Sequence, residues 1–181
     1  MYISITEAAV ADVAETKANV ERVHEFMREM PGFRWAMILR SIETPERLAT
    51  VSMWLTPEQA SDQEGTSMGA GEESRGFDVT TARGSMTPAS HVAVVEWEVA
   101  DEQASRFTNR WNAAYHAIED RIGSRLLKDL ITPGRFTGLH AVTDTANLNP
   151  EALSAALTDA DGLSVLPIAV RRYEVASLTG D

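Results

Sequence analysis

Two patterns of apolar residues follow one another along this chain of 181 residues. Apolar and polar residues alternate over residues 2–10, which predicts a β-strand. After Asp12, apolar residues recur at steps of three and four up to Met30, which predicts an amphipathic helix. Pro31-Gly32 then ends that helix, because proline cannot continue it and glycine favours the position after a helix end.

A hairpin and a short helix complete the first half of the chain. The segments 34–41 and 47–54 are typical of paired antiparallel strands, joined by the turn ETPE. The triplet TPE at 56–58 combines an N-cap threonine, a first-turn proline and an early acid, which predicts the start of a helix. Residues 76–83 predict the last strand of this half.

The second half predicts the same series of elements. They are a strand at 91–99, a helix that begins at Asp101 and ends at Gly123, strands at 124–131 and 135–143, a short helix opened by NPE at 149–151, and a strand at 167–178. The long helix has its apolar face at Ala104, Phe107, Trp111, Tyr115, Ile118 and Ile122. The order β-α-β-β-α-β therefore occurs twice, and this is the order of a ferredoxin-like unit.

The turns inside the two hairpins have matching sequences. TPER at 44–47 and TPGR at 132–135 share Thr, Pro and Arg at a spacing of 88 positions (132 minus 44). The strand 34–41 is apolar on both faces, so helices on one face alone would leave apolar surface in water. A second copy of the same sheet can cover that surface.

We therefore predict an α+β fold in which two tandem ferredoxin-like βαββαβ units pack sheet to sheet as a pseudo-dimeric α+β barrel. The two units are predicted at 1–83 and 91–181, with a linker at 84–90. Gly, Ser and Glu dominate the segment 63–76, which predicts a loop in place of part of the second helix. The alternative for this segment is a mobile lid over a pocket in the first half.

Composition and charge narrow the class of protein. The formal net charge of −11 has no basic stripe to oppose it, which argues against nucleic-acid binding. The chain contains no Cys, so disulfides, thiolate metal sites and Cys nucleophiles are excluded. No apolar run approaches the roughly 18 residues of a membrane span, and no secretory signal is visible. A cytoplasmic protein without membrane contact is the expectation.

The run PGFRWAMILRSIETPERLATVSMWLTPEQA, residues 31–60, resembles the antibiotic biosynthesis monooxygenase family of the dimeric α+β barrel superfamily. The resemblance lies in Pro-Gly-Phe after the first helix, a strand ending in Leu-Arg-Ser, a turn, and a strand ending at Trp54 before a short helix. Members of that family usually dimerise to build the barrel, so the resemblance implies a fused version within one chain and leaves a further homodimer open.

The resemblance also implies two kinds of activity. Some members oxygenate aromatic polyketides with O₂ and without metal or flavin, while others bind and open haem. The haem-degrading branch has a second Trp shortly after the third strand and a His on the next helix. Neither follows Trp54 here, and neither follows Val142. We therefore expect no cofactor, and haem is disfavoured.

Three residues are the candidate catalytic groups of a cofactor-independent oxygenase, which needs a base, an oxyanion donor and a dry pocket. His24 lies about 40° from Val20 on the helical wheel, inside the apolar stripe, and an imidazole titrates near neutral pH. Trp54 shares a strand face with Thr50 and Ser52. Arg40 is a candidate for holding an anionic substrate. The alternatives are a core histidine, a packing tryptophan and a salt-bridged arginine.

Five further residues are predicted to bind a small hydrophobic or aromatic substrate: Trp35, Trp111, Tyr115, Asn112 and His140. Aromatic residues at helical spacing are more often core than ligand-lining, which is the alternative for the Trp and Tyr residues. Gly138 precedes His140 on the same strand face and leaves a gap that a ligand could enter.

Two functions follow from these residues. One is a cofactor-independent monooxygenase acting on a small aromatic or polyketide-like molecule. The alternative is a non-catalytic α+β barrel that binds a small ligand or haem, which the asymmetry between the halves favours, because Trp54 has Val142 as its counterpart. Fold likeness alone does not decide between them.

Overall fold

A computed structural model of the chain describes residues 1–61, 68, 72–114, 121–144, 157, 163, 165 and 167–180. Its strands are β1 (Tyr2–Ala9), β2 (Phe33–Ser41), β3 (Arg47–Trp54), β4 (Glu73–Gly84), β5 (His91–Glu98), β6 (Arg121–Asp129), β7 (Arg135–Val142) and β8 (Pro167–Gly180). Its helices are α1 (Val13–Met27), α2 (Pro57–Ser61) and α3 (Ala104–Ala114).

The eight strands close into a barrel in the order β1-β3-β2-β8-β5-β7-β6-β4. The pairs β1–β3, β1–β4, β2–β3, β2–β8, β5–β7 and β6–β7 are antiparallel. The predicted α+β class and the pseudo-dimeric barrel are thereby confirmed. The origin of the two halves as a tandem repeat stays a prediction. Among the described residues, no helix has the length and apolar character needed to cross a membrane.

One predicted helix end is wrong. The long helix of the second half was expected to reach Ile122 and end at Gly123, but both residues lie in β6. The reason is a close approach of backbone: Ser85 N–H donates to the Ile122 carbonyl at 3.1 Å. A Cβ on Gly123 would collide with the Ser85 carbonyl oxygen. Gly123 therefore lets the backbone at Ser85 approach β6 closely, and it does not end a helix.

The segment 63–76 was predicted to be a loop, but its last four residues form the start of a strand. Residues 73–76 belong to β4, where they pair with β1 in the register Glu7↔Glu73 to Ser4↔Gly76. Within the remainder, Met68 is buried and packs with the core beneath α1. The predicted loop or lid otherwise lies outside the described residues, as does the predicted helix start at 149–151.

The chain divides into two compact units. Unit 1 comprises Met1–Asp78 and Tyr173–Asp181, and unit 2 comprises Val79–Arg172. The strands β4 and β8 therefore each contribute residues to both units. This division concerns compactness and does not test the predicted repeat boundaries of 1–83 and 91–181, which stay a prediction.

In unit 1, α1 covers one face of the sheet. The Asp12 carboxylate accepts from the Glu15 N–H at 2.9 Å, which caps the helix at its start. Beneath the helix, Val20 packs against Ile38 and Leu48. Alternation along the strands therefore turns the even-numbered residues of β1 and β3 toward the helix side.

The opposite face of the unit 1 sheet is an apolar core with one buried polar cluster. Its fully buried members include Ile3, Trp35, Met37, Leu39 and Val51. Buried Glu7 also lies on this face, where its carboxylate accepts from the Tyr173 hydroxyl at 3.0 Å and lies 3.4 Å from Arg47 Nε. The hydrogen bond from Tyr173 and the positive charge of Arg47 compensate this carboxylate for the water it loses.

The two TP turns are built alike. In the first, the Thr44 N–H donates to Ser41 Oγ at 3.0 Å, and in the second, the Thr132 N–H donates to Asp129 Oδ1 at 2.9 Å. The carbonyl of each threonine then accepts from the N–H of the arginine three residues later. The repeated sequence therefore encodes the same turn geometry twice.

Candidate functional site

The helix-facing side of unit 1 carries a row of hydroxyl groups where a core would normally carry aliphatic side chains. We name Ser4, Thr6, Thr50 and Ser52 the hydroxyl strip. Ser4 Oγ and Ser52 Oγ are 2.8 Å apart, and Ser4 and Ser52 face each other across β1 and β3. Ser52 is buried, whereas the other three are half-buried. The strip therefore reaches from solvent into the interior of the unit.

Trp54 extends the strip at its buried end. Its indole N–H donates to Ser52 Oγ at 2.9 Å, and its ring meets Phe33 edge-on at 5.3 Å between centroids. Trp54 is 1% exposed. The structure thus places Trp54 on the face predicted for it, beside Thr50 and Ser52, as a hydrogen-bonded member of this row.

His24 lies on α1 above the strip. It is 3% exposed, one turn beyond Val20. Because α1 returns antiparallel to β1, four helical residues advance it about 6 Å, or about two strand residues. Val20 packs at the level of Leu48. His24 therefore lies near the level of Thr50, on the side of the sheet that α1 covers and that carries the hydroxyl strip.

The His24 imidazole is neutral and incompletely bonded. Burial lowers its pKa to about 4, against a smaller opposing effect of the carboxylates of Glu21 and Glu25. The expectation that this ring titrates near neutral pH is therefore wrong, because desolvation outweighs the nearby negative charge. Its Nδ1 is buried without a hydrogen-bond partner among the described residues. A neutral imidazole with a free ring nitrogen can donate to or accept from a ligand, depending on its tautomer.

Arg40 does not join this group. It lies opposite Leu48, whereas Trp54 lies opposite Phe33, six strand residues away. Six residues span about 20 Å. Arg40 is exposed, and its Nε donates to the Pro45 carbonyl at 3.3 Å. The structure therefore separates this predicted catalytic residue from Trp54 and gives it a contact with the turn.

Trp35 also lies apart from the strip. It pairs with Met53, and both belong to the face opposite α1. Trp35 is 4% exposed and stands among the apolar residues of that face. The sheet itself therefore separates Trp35 from Trp54.

In unit 2, the corresponding helix side is filled by aromatic rings. The ring centroid of Trp111 lies 4.6 Å from that of His140 and 5.3 Å from that of Trp97. A Cβ on Gly138 would collide with Trp111 and lie 2.8 Å from both His140 Nε2 and Trp97. The gap expected beside His140 is thus occupied by its own neighbours, and Gly138 is there to admit these rings.

Of the last two residues predicted to bind substrate, the structure describes Asn112 but not Tyr115. Asn112 is half-buried on α3, and its Oδ1 accepts from Arg83 Nε at 3.3 Å. This bond ties the amide to β4. Tyr115 lies outside the described residues.

Sequence reasoning missed Ser4 and Thr6. The signal was present in YISIT, where hydroxyl residues alternate with Ile3 and Ile5. Alternation of this kind usually indicates a strand with one face in water. The sequence pattern alone cannot tell such a face from a polar row that lies beneath a helix. Only the position of α1 identifies these residues as ligand-facing candidates.

Two other features carry no candidate chemistry. An open surface depression of 520 Å³ in unit 2 is lined by Glu98, Val99, Ala100, Asp101, Pro133 and Gly134. None of the predicted site residues lines it. Within the described part of the chain, no group of three His, Asp or Glu side chains is arranged to hold a metal ion.

Known proteins share this architecture at low sequence identity. The chain matches no family model and no curated protein sequence. Among solved structures it is similar to a proposed monooxygenase from Fusobacterium nucleatum, with a TM-score of 0.76, 11% identity, and coverage of 99% of this chain and 94% of the other.

Two further structures carry other descriptions. An anthrone oxidase-like protein is similar with a TM-score of 0.67, 8% identity and coverage of 98% and 92%. A haem-degrading enzyme from Listeria monocytogenes is similar with a TM-score of 0.59, 11% identity and coverage of 96% and 99%. Identities this low show the fold alone. The chain therefore has the ferredoxin-like α+β barrel fold of monooxygenase-like proteins.

Proposed function

We propose that this protein is a cofactor-independent monooxygenase that acts on a small aromatic or polyketide-like substrate in unit 1. The observation that carries this proposal is the buried His24 Nδ1, unpartnered among the described residues, above a hydroxyl strip. The corresponding side of unit 2 is packed with Trp97, Trp111 and His140. The likeness to a proposed monooxygenase and to an anthrone oxidase-like protein supports the class of reaction.

The reaction proposed converts a methylene group between two aryl rings to a carbonyl group. Both C–H bonds break, one atom of O₂ bonds to the carbon, and the other leaves as water with the two hydrogens. The methylene carbon loses the four electrons that O₂ gains, so the balance needs no external reductant. The protein has to stabilise the enolate or phenolate that hands an electron to O₂.

His24 contributes to this reaction as a neutral imidazole. With a pKa of about 4 it is a weak base at pH 7, so it acts by hydrogen bonding to the oxygen on which negative charge develops. Ser52 Oγ, which already accepts from Trp54, orients the substrate oxygen from the sheet side.

The proposal is tested by O₂ consumption with a panel of anthrones in the presence of a metal chelator. The His24→Leu variant is expected to lower kcat/KM about 10- to 100-fold, since one transition-state hydrogen bond is lost. His24→Asn places an amide near the position of Nδ1 and is expected to retain more activity. The control is Ser105→Ala, an exposed serine of α3. Wild-type rates equal to the uncatalysed background across the panel would contradict the proposal.

The alternative is a protein that binds an aromatic molecule without turning it over. The low pKa of His24 favours this function, because a weak base contributes little to proton abstraction. The same panel separates the two, since binding of anthrones without O₂ consumption identifies a binding protein.

Haem fits the described residues poorly. The His140 ring is enclosed by Trp97 and Trp111, which leaves its face no access to a porphyrin. We propose that the protein works without haem, and adding haem to the purified protein is expected to leave its Soret band unshifted. A shift that disappears in His24→Leu would contradict this. A cytoplasmic location and a further homodimer stay predictions.

A further inference from the structure

We propose that two copies of this chain associate through the hairpin turn between β6 and β7, with apolar side chains of each copy seated in a surface depression of the other. We name Leu130, Ile131 and Pro133 the apolar tip. Leu130 is 49% exposed, Ile131 is 82% exposed, and Pro133 is also exposed. Exposed apolar residues that adjoin one another indicate an interaction surface, whereas single exposed ones do not.

The backbone of this turn is fixed from within unit 2. The Asp129 carboxylate accepts from the Ile131 N–H at 2.8 Å and from the Thr132 N–H at 2.9 Å. Asp129 is itself buried. The apolar tip is therefore held outward before a partner arrives, and association does not have to order the turn.

A depression lies beside the tip. It has a volume of 520 Å³ and is lined by residues 98–101 and by Pro133 and Gly134. Two peptide units separate Ile131 from Pro133, so their Cα atoms lie within about 8 Å of each other. The Val99 N–H donates to the Gly134 carbonyl at 2.8 Å, which ties the two sides of the depression together. Protruding aliphatic side chains and a firm depression therefore adjoin on one surface.

This arrangement fits a second copy of the same chain. In a two-fold symmetric contact, the same patch of both copies meets, so a residue of one copy contacts a different residue of the other and the reverse contact also forms. Such a patch has to carry both the protruding group and the space that receives it. The surface formed by the apolar tip and the depression carries both.

The charges also favour this occupant. The formal net charge of −11 makes two copies repel each other, so they can approach only where a surface is uncharged. No residue from 130 to 134 is charged. The tip therefore enters a depression whose lining includes Glu98 and Asp101 without bringing a like charge to them.

The first TP turn lacks this property. It has Glu43 where the second turn has Ile131, and Glu46 where the second has Gly134, at the same spacing of 88 positions (131 minus 43). Two carboxylates on a turn oppose contact with another acidic chain. The two turns thus share a backbone layout, and only the second has a tip suited to self-association.

Sedimentation velocity over about 1 to 500 µM protein tests the proposal. The wild type is expected to form a reversible dimer with a Kd on the order of 100 µM, because a contact this small belongs to the weak class. Ile131→Glu gives the second turn the residue of the first. It is expected to raise the Kd at least 100-fold, since each dimer loses two seated side chains.

Two further variants separate a specific contact from general stickiness. Ala100→Trp adds apolar surface but fills the depression, so a specific contact predicts weaker association and general stickiness predicts stronger association. Ile42→Glu is the matched control, because Ile42 is 43% exposed and precedes the first TP turn. It is expected to leave the Kd unchanged. All three positions are exposed, and urea denaturation checks that each variant unfolds cooperatively.

A wild-type dimer that Ile131→Glu and Ala100→Trp weaken, and that Ile42→Glu does not, supports the proposal. A protein that stays monomeric at every concentration, and so keeps the tip for a different partner, would overturn it. So would an equal effect of Ile42→Glu, stronger association of Ala100→Trp, or assemblies that grow beyond the dimer as the concentration rises.

Discussion

At the scale of single residues, two features of His24 lower the stability of the folded protein. Its ring is desolvated, and its Nδ1 has no described partner. Each cost lowers the stability of the folded state by an amount that a leucine at this position would not incur. Such a residue is a candidate for function, because among the described residues of unit 1 the imidazole nitrogen Nδ1 makes no hydrogen bond that would explain an imidazole there.

The depressed pKa of His24 predicts how stability depends on pH. The pKa is about 4 in the folded state and 6.5 in the unfolded chain, so between these values the unfolded state binds more protons. Stability is then independent of this group above about pH 6.5 and is lost as the pH falls toward 4. The loss is on the order of 3 kcal/mol.

Urea denaturation at pH 7.5, 6 and 5 measures this dependence. The His24→Gln variant removes the titrating group and is expected to have a flatter profile than the wild type over this range. Parallel profiles would show that the ring is protonated without penalty and therefore not buried as described.

At the scale of elements, the two TP turns have the same hydrogen-bond layout but different acceptors. The Asp129 carboxylate accepts from both Ile131 N–H at 2.8 Å and Thr132 N–H at 2.9 Å. Ser41 Oγ accepts from one N–H, that of Thr44. A charged acceptor with two backbone donors is expected to stabilise its hairpin more than a hydroxyl with one.

Alanine at each acceptor tests this difference. Asp129→Ala is expected to lower the free energy of unfolding by about 2–4 kcal/mol, because two N–H groups lose their partner. Ser41→Ala is expected to lower it by about 1 kcal/mol. Chemical denaturation measures both. Equal losses would contradict the view that the second turn depends more strongly on its side-chain acceptor.

At the scale of the whole molecule, the second part of β8 belongs to the same compact unit as β1. Residues from Tyr173 onward belong to unit 1, where they pair with β2 from Trp35↔Gly180 to Ser41↔Tyr173. Removing them leaves one edge of β2 without its hydrogen-bonded neighbour. It also removes the phenol that donates to buried Glu7.

A truncation after Arg172 tests this dependence. We expect the shortened protein to lose its cooperative unfolding transition and its near-UV circular dichroism, because β2 is buried and cannot present an open edge to water. Tyr173→Phe is the comparison variant, expected to cost only about 1–3 kcal/mol through the lost hydrogen bond to Glu7. A truncated protein that unfolds like the full chain would contradict the assignment of the residues after Arg172 to unit 1.

Part of the candidate site was predictable from periodicity. The helical angle between Val20 and His24 predicted an inward-facing ring, and alternation predicted that Trp54 shares a face with Ser52. Both depend on one element at a time. Arg40 and Trp54 illustrate what periodicity omits: they belong to one hairpin, yet antiparallel pairing puts them about 20 Å apart at opposite ends of their strands. Gly123 illustrates a second omission, since its neighbour Ser85 is distant in the sequence.

The sequence by itself determined the class and order of the elements, the two turns, and the acidic, cysteine-free surface, because each depends on residues within a few positions of one another. The tertiary structure decided which polar residues lie beneath a helix, that Trp97, Trp111 and His140 occupy the space beside Gly138, and that the residues from Tyr173 onward complete unit 1. These depend on contacts between distant segments. Burial, which lowers the pKa of His24 to about 4, arises only when such segments pack together.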